Sequence, residues 1–297
     1  MITLAYSDSP DIGSQIITKF REFGDVSVLS SSSNKDLFAR YGPVSVHVFS
    51  GEENSEVVSS LMMSLISSGK FDLIAIGSTV IGREVAGIIS AGTKMKAMAE
   101  ISEIKIENGK AVTKRFYYGG KTLLEEESDA KIFTVSPGIT EPREAASEPT
   151  VQEVVPPAGK IRLLEKIEKR SSEENIEKAS VIVSVGRGLG NKDGIQKVEP
   201  LAKMLNGVIA GSRPVCLDYQ WLSEEKQVGL SGKKVRPKLY VALGISGQIQ
   251  HIAGMRGSRV VVAVNKDKSA PIFEESDYGI VGDLYQVVPK LIEALKN

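Results

Sequence analysis

The chain has 297 residues, with 37 Lys and Arg against 37 Asp and Glu, for a formal net charge of +0. This length suggests two domains of about 150 residues each, and the charge balance excludes a dedicated binder of nucleic acid or anionic membrane. The single cysteine, Cys216, excludes an internal disulfide, and with only 2 His in the chain a His/Cys metal centre is excluded as well, so no metal is expected. No run approaches the roughly 18 apolar residues of a membrane span, and Met1–Tyr6 lacks the basic lead of a secretion signal. A soluble, unprocessed, cytoplasmic protein without membrane insertion is expected.

Short β-branched runs alternate with helix-length segments from the start. Ile2–Tyr6, Val26–Leu29, Val44–Phe49 and Leu73–Ile76 read as strands, the rhythm of βαβ units. Ser55–Ser68 carries Val57, Val58, Leu61, Met62, Leu65 and Ile66 at helical spacing, and a further helix after Gly77 places Val85, Ile88 and Ile89 on one side. From Lys96 to Val135 the pattern turns to extended pieces, Ile101–Ile106, Val112–Tyr118 and Ile132–Val135, joined at Asn108-Gly109 and Gly119-Gly120. The first half therefore reads as α/β with antiparallel additions.

Between Pro137 and Gly159 prolines recur without apolar period, which marks a linker. Ile161–Leu164 is apolar enough to pack, and Glu165–Ser180 is charged and helix-capable. The boundary is placed near Asn175, giving a domain over 1–175, with the linker at about 137–175, and a second over 176–297. The second domain restarts the rhythm with strands at Ser180–Val185, Leu239–Leu243, Val260–Val264 and Tyr278–Val281, and ends in a helix near Leu284–Leu295. Each domain is expected to be a mainly parallel sheet flanked by helices, Rossmann-like in architecture.

The chemistry concentrates after these strands. Val181–Val185 runs into Gly186-Arg-Gly-Leu-Gly190, a strand, glycine loop and helix sequence that lets backbone N–H groups approach a phosphate. The spacing is GxGxG rather than GxGxxG, and Gly211-Ser212-Arg213 stands where a nicotinamide site needs an acid, so a nicotinamide dehydrogenase is disfavoured. Gly244–Gly254 gathers backbone donors with Gln248, Gln250 and His251. Its Ser246 lacks the final glycine of a nucleophile elbow, which removes a serine hydrolase. Val228–Lys233 has a Walker-like look without its first glycine or its Ser/Thr. Asn265 and Asp283 end strands, where turn-forming and capping are the commoner roles. The convergence of all these residues after strands favours a nucleotide over packing alone.

Through GRGL, GSRP, QVGLSGK, GISGQIQHIAGM, AVNKD, APIF and DYGIVGDLYQVVPKL, residues Ala179–Leu295 resemble the alpha subunit of electron-transfer flavoproteins and its nitrogen-fixation homologues. The first half resembles it more loosely, through Gly77–Arg83 and Tyr118-Gly-Gly120. The resemblance implies an electron carrier without a substrate of its own, FAD in the C-terminal domain, and an N-terminal domain packed against a beta subunit. It implies dehydrogenases as donors, as in fatty acid beta-oxidation, and a membrane quinone oxidoreductase or another acceptor, and leaves open both simple transfer and bifurcation between two flavins. It further implies that Arg187 and Gly188 lie on the phosphate or ribose side and that Ser212 and Arg213 reach the flavin, with Arg213 stabilising negative charge on the reduced ring. Val228, Gly229, Leu230 and Ser231 would flank the ring, Ser231 bonding its N5, and His251 would approach the pyrimidine carbonyls. Ser246, Gly247, Gln248, Ile249 and Gln250 would line the same loop, while Asn265, Asp283 and Leu284 would hold the adenosine end. Leu230-Ser231 departs from the Gln-Thr of many members, and Gln248 from a usual small residue. Gly77-Ser-Thr79 and Gly82-Arg83 are taken as structural and interfacial. The alternative from another class is a nucleotide-binding adaptor with this fold and no redox role.

Overall fold

Strand β1 (Ile2–Tyr6) buries Leu4 and Tyr6 on one face of a sheet and Ala5 on the other, the alternation of a strand covered on both sides. The computed structural model describes residues 1–120, 122–157, 159–161, 164–165 and 175–296. Its chain divides into two units, Met1–Ile167 and Glu168–Asn297. Most of the expected helix-capable stretch Glu165–Ser180, and Arg162 and Leu163 of the apolar run before it, lie outside the described residues.

The first unit runs β1, α1 (Pro10–Phe20), β2 (Asp25–Ser31), α2 (Lys35–Ala39), β3 (Ser45–Phe49), α3 (Ser55–Ser68), β4 (Leu73–Gly77), α4 (Val80–Thr93), β5 (Ala97–Ile101), β6 (Glu103–Glu107), β7 (Lys110–Tyr117), β8 (Thr122–Ser128), β9 (Ile132–Val135) and β10 (Thr150–Glu153). Seven strands form a parallel sheet in the order β10-β3-β2-β1-β4-β9-β5. Ile16, Ile17 and Phe20 of α1 cover one face, and Val58, Met62, Val85 and Ile89 of α3 and α4 cover the other.

Three features depart from the sequence expectation. The extended piece Ile101–Ile106 is two strands in two sheets: Ile101 ends β5, in register with Val135 of β9, and at Ser102 the backbone N–H turns to Lys114 O of β7 at 2.8 Å. Strand β8 carries Glu125, Glu126 and Glu127, too charged to read as a strand, yet it pairs antiparallel with β7, where Lys114, Arg115 and Lys110 answer these acids one for one. The linker contributes the edge strand β10, in register with β3 from Thr150↔Ser45 to Glu153↔Val48.

The second unit runs β11 (Val181–Val185), α5 (Gly194–Met204), β12 (Val208–Gly211), β13 (Leu239–Leu243), α6 (Ile249–Met255), β14 (Val261–Asn265), β15 (Tyr278–Val281) and α7 (Leu284–Ala294). Its parallel sheet has the order β12-β11-β13-β14-β15. Val183, Val185, Val241 and Leu243 face α5 and α7, while Ile182, Tyr240 and Ala242 face α6. Helix α6 was hidden in the sequence, its residues Ile249–Met255 lying within a glycine-rich run that reads as a loop. The order first-strand-beside-third reverses between β11 and β13. The loops leaving these two strands diverge there and open a crevice at the carboxyl edge.

Candidate functional site

A cavity of about 590 Å³ opens at that edge, lined by the loops that follow β11, β12, β13 and β14 and by the segment Gln227–Ser231. Of the expected site residues it gathers Arg187, Gly188, Ser212, Arg213, Val228, Gly229, Leu230, Ser231, Ser246, Gln248, Gln250, His251 and Asn265. Gly247, Ile249, Asp283 and Leu284 do not line it. Gly247 is buried at a left-handed turn (φ 86°) that brings its backbone against Ile272. Leu284 packs in the apolar cluster with Val198, Leu201 and Val288. Asp283 caps α7, accepting from Tyr285 N at 2.9 Å, and pairs with Lys266 at 3.1 Å.

The glycine loop is built differently from a phosphate cradle. Gly186 N bonds Leu243 O at 2.9 Å, Gly188 N bonds Gly244 O at 3.0 Å, and Leu189 N and Gly190 N turn back onto Gly186 O and Arg187 O. These four N–H groups are spent on the fold and are not offered to a ligand. The glycines serve a close crossing of two loops: a Cβ on Gly186 would overlap the Gly244 carbonyl, and one on Gly188 would lie 2.8 Å from Gly244 Cα. The crossing leaves the Arg187 side chain to meet an anion. Arg187 and Arg213 are exposed, and among the described residues neither has an ion-pair partner.

Gln227–Ser231 forms the opposite wall. Val228 N bonds Gly211 O at 2.9 Å, tying it to β12, and Leu230 N bonds Gln250 O at 2.7 Å, tying it to α6. Buried Gln227 donates Nε2–H to the Ser231 hydroxyl at 3.1 Å, which orients that hydroxyl. The reading of the sequence passed over Gln227, although it opens the QVGLSGK run. Asp267 also lines the cavity and was not foreseen; its carboxylate is held below the ordinary range by the Ser269 hydroxyl and N–H that it accepts. Asn265 donates to Ile245 O at 2.8 Å and accepts from Asp267 N at 3.0 Å, so its amide braces two lining loops against each other.

His251, like Gln227 and Ser212, is a buried polar residue of the lining. Its Nε2 lies 2.9 Å from the Tyr240 hydroxyl, and its Nδ1 has no well-formed hydrogen bond, only a weak approach from the Val228 backbone. Burial pushes the imidazole down to about 4, so the ring is neutral near neutrality rather than the protonated group that would favour a negative charge by itself. A concave site carrying an orphaned buried nitrogen and two unpaired guanidinium groups fits an elongated anionic ligand with polar ring edges, and FAD meets that description.

These features define a nucleotide-type α/β binding unit at a sheet switch point. Residues 175–256 match the electron transfer flavoprotein FAD-binding domain, and residues 14–158 match the electron transfer flavoprotein domain. The chain is 33% identical over 298 residues to the electron transfer flavoprotein subunit alpha of Syntrophomonas wolfei, covering 95% of this chain and 94% of that one. It is 37% identical over 254 residues to the subunit alpha of Thermoanaerobacterium thermosaccharolyticum, covering 82% and 76%. It is 36% identical over 233 residues to protein FixB of Escherichia coli O139:H28, covering 76% and 74%. The chain belongs to the electron transfer flavoprotein family, on the alpha-subunit side, and its cofactor is FAD. No helix among the described residues is long and apolar enough to cross a membrane.

Proposed function

We propose that the chain is the FAD-holding subunit of a heterodimeric electron carrier in the cytoplasm. In this reading residues 1–175 contact a beta-type subunit and residues 176–297 hold the cofactor, which takes electrons from dehydrogenases such as those of fatty acid beta-oxidation and passes them to a quinone oxidoreductase or another acceptor. The observation that carries it is the cleft between the β11 and β13 loops, with Arg187 and Arg213 free of acidic partners among the described residues. When bound, FAD supplies the redox chemistry. The protein's part is to bind, orient and tune it.

Arg213 places a fixed positive charge in a cleft that is partly shielded from water, where it favours negative charge on whatever ring lies beside it. Ser231, oriented by Gln227, can donate or accept and so can serve a ring nitrogen in either redox state. Neutral His251 contributes a hydrogen bond rather than a charge. Arg187 is the side chain available to a phosphate once the loop's N–H groups are committed. Asn265 acts by bracing the loops, and Asp283 and Leu284 act through the stability of α7 rather than by contact.

The test is to co-express the chain with a beta-type subunit and count flavin and adenine nucleotide per heterodimer after denaturation. One FAD or more per heterodimer, reducible by a dehydrogenase, is expected. A colourless protein carrying only adenine nucleotide would favour the adaptor, and two flavins would favour division of electrons between them.

A further inference from the structure

We propose that Tyr240 sets the tautomer of His251, so that the ring presents an Nδ1–H donor to the occupant of the cavity. This rests on the FAD assignment of the same cleft and adds a positioning residue that touches nothing in it. Tyr240 is fully buried on β13, among Ile176, Val228 and Met255. A phenol in such surroundings needs a partner for its hydroxyl. The one of good geometry is His251 Nε2, at 2.9 Å.

The direction of that bond follows from counting protons. Ser184, also fully buried, stands on β11 two register positions along from the partner of Tyr240, on the same face of the sheet. Its hydroxyl approaches the Tyr240 oxygen but makes no hydrogen bond of good geometry. With no other acceptor in hydrogen-bond geometry among the described residues, the Tyr240 proton is directed to Nε2. A neutral imidazole carries one proton, and the bond made at one nitrogen fixes it on the other. Nδ1 therefore carries the proton. The Val228 backbone approaches the ring as an acceptor, as a protonated Nδ1 requires, but too loosely to satisfy it. In the reverse arrangement Nε2–H would donate to the Tyr240 oxygen, leaving the Tyr240 proton with no acceptor in hydrogen-bond geometry among the described residues and Nδ1 bare as well. The pair Tyr240 and His251 thus ends in a buried donor without a well-formed bond at the wall of the cavity.

With 2 His in the protein, the imidazole nitrogens can be read directly by two-bond ¹H–¹⁵N spectra of the labelled full chain, with and without FAD, and His251→Ala assigns the second ring. The wild type is expected to show His251 with Nδ1 protonated and Nε2 bare. Tyr240→Phe, which keeps the ring and removes the hydroxyl, should move the proton to Nε2 or average the two nitrogens. FAD affinity should fall roughly tenfold, about one hydrogen bond, and adding Tyr240→Phe to His251→Ala should cause no further loss. An Nε2–H ring in the wild type, an unchanged tautomer in Tyr240→Phe, or additive losses in the double variant would overturn the proposal. Should Tyr240→Phe not fold, the wild-type Nε2 shift must be that of a bare nitrogen accepting a hydrogen bond, and the shift of an unbonded one overturns the proposal equally. A wild type with the Nδ1–H ring that binds no FAD supports the tautomer and removes the cofactor assignment instead.

Discussion

Both units reverse strand order within a parallel sheet, the first between β1 and β4 and the second between β11 and β13, yet they treat the resulting crevice in opposite ways. In the first unit the loops fill it with their own side chains. The Thr79 hydroxyl bonds Asp8 while capping α4 at Gly82 N (2.9 Å), Ser7 accepts from Ser9 N at 3.1 Å, and Tyr6 donates to Glu53 at 3.1 Å. A side chain at Gly77 would overlap the Ser7 hydroxyl. In the second unit the loops cross through Gly186, Gly188 and Gly244, and among the described residues Arg187 and Arg213 are left without an ion-pair partner and His251 Nδ1 without a well-formed hydrogen bond. Topology supplies a crevice, and the local pairing of side chains decides whether it holds a ligand.

The largest expected effect tests the crossing itself. Gly186→Val would drive a branched side chain into the Gly244 backbone, which cannot yield as a flexible side chain does. A loss of about 3 kcal/mol or more is expected, with FAD retention lost alongside stability. Gly190→Ala sharpens the comparison. That position, unlike Gly186, has a positive φ, 83°, but meets no atom within 4 Å, so only backbone strain of about 1 kcal/mol is expected. Thermal denaturation of both variants, with bound flavin measured in parallel, checks the contrast; equal losses would mean that strain rather than the crossing dominates.

Next in size is the acid response. Each unit holds one buried histidine, His47 in the first and His251 in the second, and burial lowers both. The unfolded chain takes up a proton near pH 6.5, while folded His251 resists until about 4. The unfolded state therefore binds more protons in this window, and the stability that neutral His251 supplies above pH 6.5 is lost as pH falls toward 4, by about 3 kcal/mol in all. Urea unfolding of the FAD-free chain at pH 7.5, 5.5 and 4.5 should show this slope flattened in His251→Gln and less so in His47→Gln. Parallel slopes for wild type and His251→Gln would place the acid response elsewhere.

A pair of surface changes separates the two crevices by function. Arg213→Ala should leave stability within about 0.5 kcal/mol, weaken FAD binding by on the order of 1–2 kcal/mol and lower the reduction potential, with Arg213→Lys between, since it keeps the charge and loses the planar fork. Thr79→Val should do the reverse, costing about 1 kcal/mol of stability through the lost cap and leaving FAD untouched. Potentiometry and chemical denaturation of the same preparations decide it.

The parallel sheets were legible in the sequence because strands covered on both faces read as unbroken runs such as Val181–Val185 and Leu239–Leu243. What escaped had physical cause. Strand β8 is stabilised by ion pairs across to β7 rather than by apolar period, β10 is an exposed edge, and the first turn of α6 is masked by the glycines around it. The site residues announced themselves by following strands. The roles of the glycines did not, because whether an N–H is free or spent depends on a crossing between segments far apart in sequence, Gly188 with Gly244. The same holds for His251, whose partner Tyr240 reads in the sequence only as a residue of a buried strand.

The smallest effect concerns Asp283, where the two ways of using a strand-ending acid compete most evenly. The family resemblance assigns it to the adenosine end of the cofactor, while its carboxylate already accepts from Tyr285 N and faces Lys266 at 3.1 Å. Those two contacts, the N–H foremost, hold it below the ordinary carboxylate range. A depressed folded value contributes stability that is present above the unfolded value and is lost as pH falls through the folded one. Asp283→Asn keeps an acceptor for the cap and loses only the charge, whereas Asp283→Ala loses both, so stability at pH 7 should fall in the order wild type, Asn, Ala. As pH falls through that lowered folded value, wild type and Asn should converge while Ala stays lower. FAD affinity should be the same in all three, because the cap draws the carboxylate out of the lining and into the first turn of α7. If Asp283→Asn instead weakens FAD at unchanged stability, the acid belongs to the ligand, and this end of the second crevice is open in a way that its counterpart around Thr79 is not.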